Sequence, residues 1–331
     1  MEKVVLGLSG GVDSAVTARL LQRDGYEVHG LYLDIGAEGA RRDAIDTAAF
    51  LGVELTIADI SDDLEKNVCK PFTDAYLRGE TPNPCILCNP SVKFKYLIDH
   101  ADQIGAKWVA TGHYARAKDG ALYKGMPSND QSYMLCRLRR DQVARLILPL
   151  GEYEKARVRE LAAEFGIPVA HKPDSMEICF IPDKDYIGWI RRRSAVPGAG
   201  NLVFHGKIIG THDGIYRYTV GQRWPGLYEE RKLYVSELQP DTNRVVLALW
   251  EELFKTEVRG RCMNWLIDPP EAPIRATVRV RHTKWENPPC TVTAQGDSVE
   301  IICDEPVRAP ARGQSAVLYD GDRVLGGSFI V

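Results

Sequence analysis

The sequence has no run of about 18 apolar residues, and its N-terminus lacks a basic region followed by an apolar stretch. Neither a membrane span nor a signal peptide is indicated, and a cytoplasmic location is expected. No internal repeat or low-complexity segment is present. Charge is short of one sign as well: 42 Lys plus Arg stand against 45 Asp plus Glu, a net of -3 over 331 residues. A near-neutral chain binds nucleic acid only through a local patch, for which Arg191-Arg192-Arg193 and Val278-Arg279-Val280-Arg281-His282 are the candidates. The length is more than one core usually organises, so two or three domains are expected.

What is present begins at once. The apolar run Val4 to Leu8 leads into Ser9-Gly10-Gly11-Val12-Asp13-Ser14, and Ala15 to Leu21 follows at helical spacing. A strand, a tight Gly/Ser turn and a helix start aim several backbone N–H groups at one point, which suits a phosphate. Gly10 and Gly11 allow close approach, Ser9 and Ser14 supply hydroxyls, and Asp13 is placed to hold a magnesium ion. The segment lacks the lysine of the P-loop pattern G-x-x-x-x-G-K-[ST], so a γ-phosphate hydrolase is not expected.

Strand-like runs at 4–8, 27–33, 53–60 and 107–111 alternate with helical patterns near 15–23, 40–51, 62–78 and 91–104, followed by a helix over 153–165. Alternation at this spacing predicts βαβ units and a doubly wound parallel α/β sheet, with ligands at the carboxyl ends of its strands, where Ser9, Leu33 and Gly112 fall. After about residue 195 short alternating segments take over. Those at 203–209, 215–220, 233–238 and 244–249 predict a small β-rich module, and those at 275–281, 290–294, 299–303, 316–319 and 324–330 a terminal β-barrel. The expected domains are therefore 1–195, 196–256 and 257–331.

Eight cysteines in a reducing compartment point to packing, metal ligation or catalysis rather than disulfides. Cys69, Cys136, Cys262, Cys290 and Cys303 stand alone and are assigned to packing or surface. Thr81-Pro82-Asn83-Pro84-Cys85-Ile86-Leu87-Cys88-Asn89 reads as a loop, because of its prolines, that carries two thiols at C-x-x-C spacing. Cys179, in Asp174 to Phe180, supplies a third thiol. A structural zinc site lacks a convincing fourth ligand. A thioredoxin-like pair is disfavoured by its place in the chain. Sulfur transfer by a thiolate, or a three-cysteine iron–sulfur cluster with one open iron, stays in view.

The strings S-G-G-V-D-S, T-P-N-P-C-I-L-C-N, A-T-G-H-Y-A-R, N-D-Q-S-Y-M-L and D-S-M-E-I-C-F-I, in this order, resemble the motifs of the bacterial tRNA-specific 2-thiouridylases, tRNA-uridine 2-sulfurtransferases of the ATP pyrophosphatase (PP-loop) superfamily. G-T-H-D-G at Gly210, Y-T-V-G-Q-R at Tyr218, R-A-P-A-R-G-Q at Arg308 and V-L-G-G at Val324 continue the likeness over essentially the whole chain. Three departures stand out. The insertion that often follows the second strand is short here, at Leu33-Asp34-Ile35-Gly36. Cys85 stands where many members carry Asp, and Asn129 where many carry Lys.

The resemblance implies an N-terminal adenine-nucleotide-hydrolase-like PP-loop domain and ATP-dependent 2-thiolation of the wobble uridine, position 34 of tRNAs for Lys, Glu and Gln. Gly7, Leu8, Ser9, Gly10, Gly11, Val12, Asp13, Ser14, Leu33 and Gly112 would then bind ATP with magnesium. Asn83, Pro84, His113, Asn129, Asp130, Gln131, Arg281, His282 and Gln314 would contact the tRNA anticodon stem-loop and its flipped-out base. ATP turns the uracil C2 oxygen into an adenylate with pyrophosphate release, and sulfur then displaces AMP. In one family description Cys179 carries a persulfide and Cys88 releases its sulfur. In the other Cys85, Cys88 and Cys179 bind a [4Fe-4S] cluster, the route that the third thiol favours. The sulfur donor would be a desulfurase relay protein or sulfide. Other readings are another PP-loop enzyme, such as a 4-thiouridine synthase or an amidating synthetase, and a non-catalytic tRNA-binding paralogue.

Overall fold

The computed structural model of the chain describes residues 1–168, 178–282 and 287–331. It divides into two compact units, one of Met1–Val68, Cys85–Met176 and Asp322–Leu325, the other of Cys69–Pro84, Glu177–Gly321 and Gly326–Val331.

The first unit opens with β1 (Lys3–Gly7), α1 (Val12–Arg23), β2 (Glu27–Asp34), α2 (Glu38–Leu51), β3 (Glu54–Asp59) and α3 (Ser61–Leu64). A helix was expected over 62–78, but the chain widens into a π turn at Glu65–Cys69 before α4 (Lys70–Leu77), which belongs to the second unit. Pro71 has no amide to continue the bonding ladder there. The same happens further on. Instead of a loop, Pro84–Cys88 forms α5, and a π turn at Asn89–Lys93 carrying Pro90 joins it to α6 (Phe94–Gln103). Pro84 is the first helical residue, where a missing N–H costs nothing.

β4 (Trp108–Ala110), the hairpin β5 (Ala115–Lys118) and β6 (Ala121–Lys124), α7 (Ser132–Leu135), α8 (Arg140–Val143), β7 (Leu146–Ile147) and α9 (Lys155–Glu164) complete this unit. The hairpin turns through Asp119 and Gly120, both at positive φ, 51° and 72°. The five-stranded sheet has the order β3-β2-β1-β4-β7, and its pairings are parallel. Strand period two divides β1 between two faces. Val4, Leu6 and Leu8 pack in one core with Ala15, Val16 and Leu20 of α1, Ala48 of α2 and Val158 of α9. Gly7 faces the opposite side, toward Leu97 of α6. The sheet is doubly wound. Because β2 and β3 extend to one side of β1 and β4 lies on the other, the carboxyl ends of β1 and β4 flank a topological switch point.

In the second unit α10 (Tyr186–Arg193) precedes β8 (Gly200–Phe204), β9 (Lys207–His212), β10 (Arg223–Tyr228), β11 (Arg231–Gln239) and β12 (Arg244–Ala248). These strands form a sheet of order β10-β11-β12-β8-β9 over a core that includes Leu202, Leu233, Val235, Val245 and Leu247. The run 203–209 is two strands, split by a turn at His205 and Gly206, and 215–217 is a 3-10 turn rather than a strand. β13 (Phe254–Trp265), β14 (Ile274–Arg279), β15 (Pro289–Gln295), β16 (Ser298–Arg308), β17 (Ser315–Asp320) and β18 (Arg323–Ile330) follow in the order β13-β16-β15-β14-β17-β18, and β13–β18 pairing closes a barrel. Cys290 opposite Cys303, Val292 opposite Ile301 and Ala294 opposite Val299 fix the register of β15 on β16.

Candidate active site

The loop after β1 is built from its own short bonds. Ser14 Oγ donates to the Gly11 carbonyl at 3.0 Å, Ser9 N donates to Ser14 Oγ at 3.2 Å, and Thr17 Oγ1 donates to the Asp13 carbonyl at 2.7 Å. Gly10 turns the chain at φ 74°, and a Cβ there would lie 2.6 Å from Ala44 N in α2. Helix α1 has Gly11 as its N-cap and no side-chain cap, so the N–H groups of its first turn face outward with the positive end of the helix dipole. The arrangement suits an anion.

Gly112 sits beside this loop because a Cβ on it would be only 3.0 Å from Asp13 Cβ and 3.2 Å from Ser14 N. Leu33, half-buried, is the last residue but one of β2 and lies two residues beyond Leu31, which pairs with Gly7. The structure thus gathers Gly7 to Ser14, Leu33 and Gly112 at the carboxyl ends of three adjacent strands.

Asp13 is held twice. Lys155 Nζ contacts its two carboxylate oxygens at 2.7 and 2.8 Å, and Tyr114 Oη donates to Oδ1 at 2.7 Å. Lys155 begins α9 and Tyr114 follows β4. Sequence reasoning missed both. The absence of a lysine in the loop was the available signal, since it calls for a cation from elsewhere. Asp13, Ser9 and Ser14 supply hard oxygen donors of the kind that magnesium takes, and the two hydroxyls lie 3.2 Å apart.

His113 stacks on Phe94, ring centroids 6.1 Å apart, and its Nδ1 lies 2.6 Å from Thr111 Oγ1. Burial, seconded by the charge of Lys93, holds this imidazole well below the usual histidine range, so it is neutral at pH 7. Asn129, Asp130 and Gln131 form a turn behind it. Asp130 accepts from Gly125 N at 2.9 Å, Ser132 N at 3.0 Å and Ser132 Oγ at 2.9 Å, and Gln131 Oε1 accepts from Tyr114 N at 3.0 Å; with the Asn129 amide assigned the orientation that satisfies both of its ends, its oxygen accepts from Lys155 N at 2.7 Å and its nitrogen donates to the Ser128 carbonyl at 3.1 Å.

Cys85 and Cys88 lie one helical turn apart on α5, Cys85 exposed and Cys88 half-buried, with Ile86 between them buried at 1% exposure. Cys179 belongs to the second unit and is exposed. It sits in a turn closed by Ile181 N donating to the Ile178 carbonyl, while Phe180 stacks edge-on to Phe72 at 5.6 Å. Its neighbours are anchored, while Cys179 itself is exposed. The motif residues 174–177 before it lie outside the described residues. Among the described residues no group of three or more His, Cys, Asp or Glu side chains is gathered to hold a metal ion. Four other cysteines, Cys69, Cys136, Cys290 and Cys303, are buried. Burial pushes the Cys290 thiol up to about 12 and Cys303 to about 11, which removes them as nucleophiles.

Of the remaining expected tRNA contacts, Asn83 and Pro84 lead into α5 and His282 is exposed. Arg281 points its guanidinium at backbone, donating to the Ala309 carbonyl at 2.9 Å and to the Val220 carbonyl. Gln314 Nε2 donates to the Thr81 carbonyl at 2.9 Å.

Residues 2–183 match the family described as the tRNA methyl transferase HUP domain, 194–248 its PRC-barrel domain, and 255–330 an aminomethyltransferase beta-barrel domain. The chain is 40% identical over 350 residues to the tRNA-specific 2-thiouridylase MnmA of Syntrophotalea carbinolica, an alignment that spans 99% of this chain and 98% of that protein. It is 38% identical to the protein of the same name from Clostridioides difficile, again over 99% and 98%. Among solved structures, NMN synthetase from Francisella tularensis aligns over 53% of this chain and 66% of its own, at 25% identity and a TM-score of 0.35. No helix among the described residues is long and apolar enough to cross a membrane. On the full-length likeness to the curated relatives, this chain belongs to the tRNA-specific 2-thiouridylase family.

Proposed function

We propose that this protein is a tRNA-uridine 2-sulfurtransferase that uses ATP to replace the C2 oxygen of the wobble uridine by sulfur. The observation that carries the reading is the phosphate loop at the switch point of the sheet, with an uncapped helix N-terminus, Gly112 packed on Asp13, and a C-x-x-C helix in the same chain. In the first step the uracil O2 attacks the α phosphorus, the bond to the β-phosphate oxygen breaks, pyrophosphate leaves and the N3 proton is lost. In the second, sulfur bonds to C2 and the C2–O bond breaks with AMP as leaving group. Magnesium bound at Asp13 would neutralise phosphate charge; the loop amides orient the phosphates toward the acceptor.

For the sulfur step we assign Cys179 as persulfide carrier and Cys88 as the thiolate that attacks the Cys179 sulfur. The terminal sulfur is transferred and a Cys88–Cys179 disulfide remains, which an external thiol reductant must reopen. Two thiols suffice for this route, and no step is assigned to a cluster. A desulfurase relay protein that passes the outer sulfur of its own persulfide to the Cys179 thiolate and is left as a thiol, the anticodon stem-loops of tRNAs for Lys, Glu and Gln as substrates, and a cytoplasmic setting complete the proposal. The matched ranges support a division at 1–195, 196–256 and 257–331.

The test is mass spectrometry of nucleosides from tRNA incubated with the protein, ATP, magnesium and a sulfur source. Appearance of 2-thiouridine at the wobble position is expected. Its absence, or thiolation of another position, overturns the proposal.

A further inference from the structure

The loop Ser9 to Ser14 carries no cation of its own, yet a lysine reaches it from 142 residues away in the chain. Lys155 Nζ lies 2.7 Å from Asp13 Oδ1 and 2.8 Å from Oδ2, and 5.3 Å from the centre of the Tyr114 ring, whose hydroxyl donates to the same carboxylate. The ion pair is partly open to solvent, with side-chain exposures of 21% for Lys155 and 32% for Asp13. An ion pair in such a setting adds little to folding. Even so, the surrounding chain is organised around it. The Asn129 side chain accepts from the backbone N–H of Lys155, which starts α9 at that residue, and Gln131 brackets Tyr114 through both its backbone N–H and its Oε1. Asp130, buried, ties that turn shut.

We propose that Lys155 is the cation of this phosphate loop: its ammonium binds the pyrophosphate portion of ATP, with Asn129 and Gln131 as the positioning residues that hold Lys155 and Tyr114 at Asp13. The inference rests on the ATP-dependent reading above. A leaving pyrophosphate accumulates negative charge that one helix N-terminus and one magnesium ion compensate only in part. A lysine head group on a four-carbon stem turns from a carboxylate to a phosphate oxygen within a few bond rotations. In the P-loop pattern the lysine comes from the loop itself; here a separate helix start delivers it.

The test is calorimetric titration of the full chain with magnesium pyrophosphate and, separately, with AMP. Loss of a charge-assisted contact predicts that Lys155→Gln weakens pyrophosphate binding about tenfold or more while AMP binding changes less than about twofold. Lys155→Arg should recover most of the pyrophosphate affinity, because the charge is kept. Asn129→Ala should weaken pyrophosphate binding by a smaller factor. Unchanged pyrophosphate affinity in Lys155→Gln overturns the proposal, and so does parallel loss of both ligands, which would mean that the pair only shapes the loop. Should Lys155→Gln not fold, acetylation of the wild-type chain by an amine-reactive reagent decides: pyrophosphate must protect Lys155 and AMP must not, and equal labelling overturns it. A wild-type chain that binds pyrophosphate but makes no 2-thiouridine would defeat the proposed function and leave this inference standing.

Discussion

Gln314 Nε2 donates to the Thr81 carbonyl at 2.9 Å, and Thr81 N donates to the Arg312 carbonyl at 2.7 Å. The segment Arg312-Gly313-Gln314, late in the barrel sequence, therefore grips the strand of chain that runs into Asn83, Pro84 and the C-x-x-C helix. Gly313 makes the close approach possible: its φ is 85° and a Cβ on it would fall 2.8 Å from Glu80 Cβ. Arg261 adds an ion pair to Glu80 at 3.1 Å.

The first prediction follows from that grip. Gln314→Ala leaves the Thr81 carbonyl without this donor and should cost about 1 kcal/mol of stability. Gln314→Glu should cost more, because a carboxylate cannot donate. Thermal unfolding measures both. Equal melting temperatures for wild type, Ala and Glu variants would show that the side chain serves something other than Thr81.

Two glycines of the phosphate loop should separate folding from nucleotide binding. Gly10→Ala forces a side chain into φ 74° and onto the backbone of α2, 2.6 Å from Ala44 N and 2.7 Å from the Asp43 carbonyl carbon. A stability loss of about 2–4 kcal/mol is expected. At Gly11 the nearest atom to a new Cβ is Ser9 Oγ at 3.5 Å, so Gly11→Ala should fold with stability within about 0.5 kcal/mol of wild type. Its methyl stands where phosphate is expected, and ATP affinity should fall. Urea unfolding and ATP titration of the two variants read this out; Gly11→Ala with wild-type ATP affinity would contradict the placement of the phosphates.

The parallel sheet was legible because its strands are apolar and its helices periodic, and both signals survive in one sequence. Other elements had no such signal. β13 is a 12-residue strand in which only Val258 and Gly260 are buried, so neither apolar run nor alternation marks it. α5 was hidden by prolines that usually break helices, although Pro84 at the first position favours one. Asp119-Gly120 was a hairpin signal in plain view, flanked by too few apolar residues to stand out. In the site, Ser9 to Ser14 could be read from local spacing alone. Lys155 could not, since its nearness to Asp13 is made by the packing of α9 on α1.

The cysteines give a third prediction. Cys88→Ser and Cys179→Ser should each abolish 2-thiouridine formation while pyrophosphate release continues, because adenylation precedes sulfur transfer. Cys85→Ser should keep thiolation under the persulfide assignment. Loss of thiolation in Cys85→Ser as well would favour a three-thiol ligand set and count against that assignment. Cys290→Ser puts a hydroxyl into the barrel interior, where Cys290 is fully buried beside the Ala276 carbonyl. A cost of about 1–2 kcal/mol with thiolation intact is expected.

Acid should act on this protein through its histidines. His113 is held well below the usual value of 6.5, first by burial and then by the charge of Lys93. His212 is lowered too, chiefly by burial; its Nδ1 accepts from Gly214 N at 3.1 Å and its Nε2 faces the Asn243 carbonyl at 3.2 Å, a neutral tautomer with both nitrogens engaged. In each case the unfolded chain takes up a proton at a pH where the folded chain does not. The unfolded state then binds more protons, so stability rises with pH across that interval. The contribution is complete above about 6.5 and is lost as pH falls from there toward the folded-state value, with a slope of up to about 1.4 kcal/mol per pH unit for each histidine. His113→Gln keeps a polar side chain of similar size for Thr111 and removes one titration. Melting temperatures of wild type and His113→Gln between pH 7.5 and 5.5 should therefore converge as the solution is acidified, since only the wild type loses the His113 contribution. Parallel curves would mean that His113 takes up its proton in the folded chain as readily as in the unfolded one, and that the neutral imidazole at the end of β4 is the wrong description of this site.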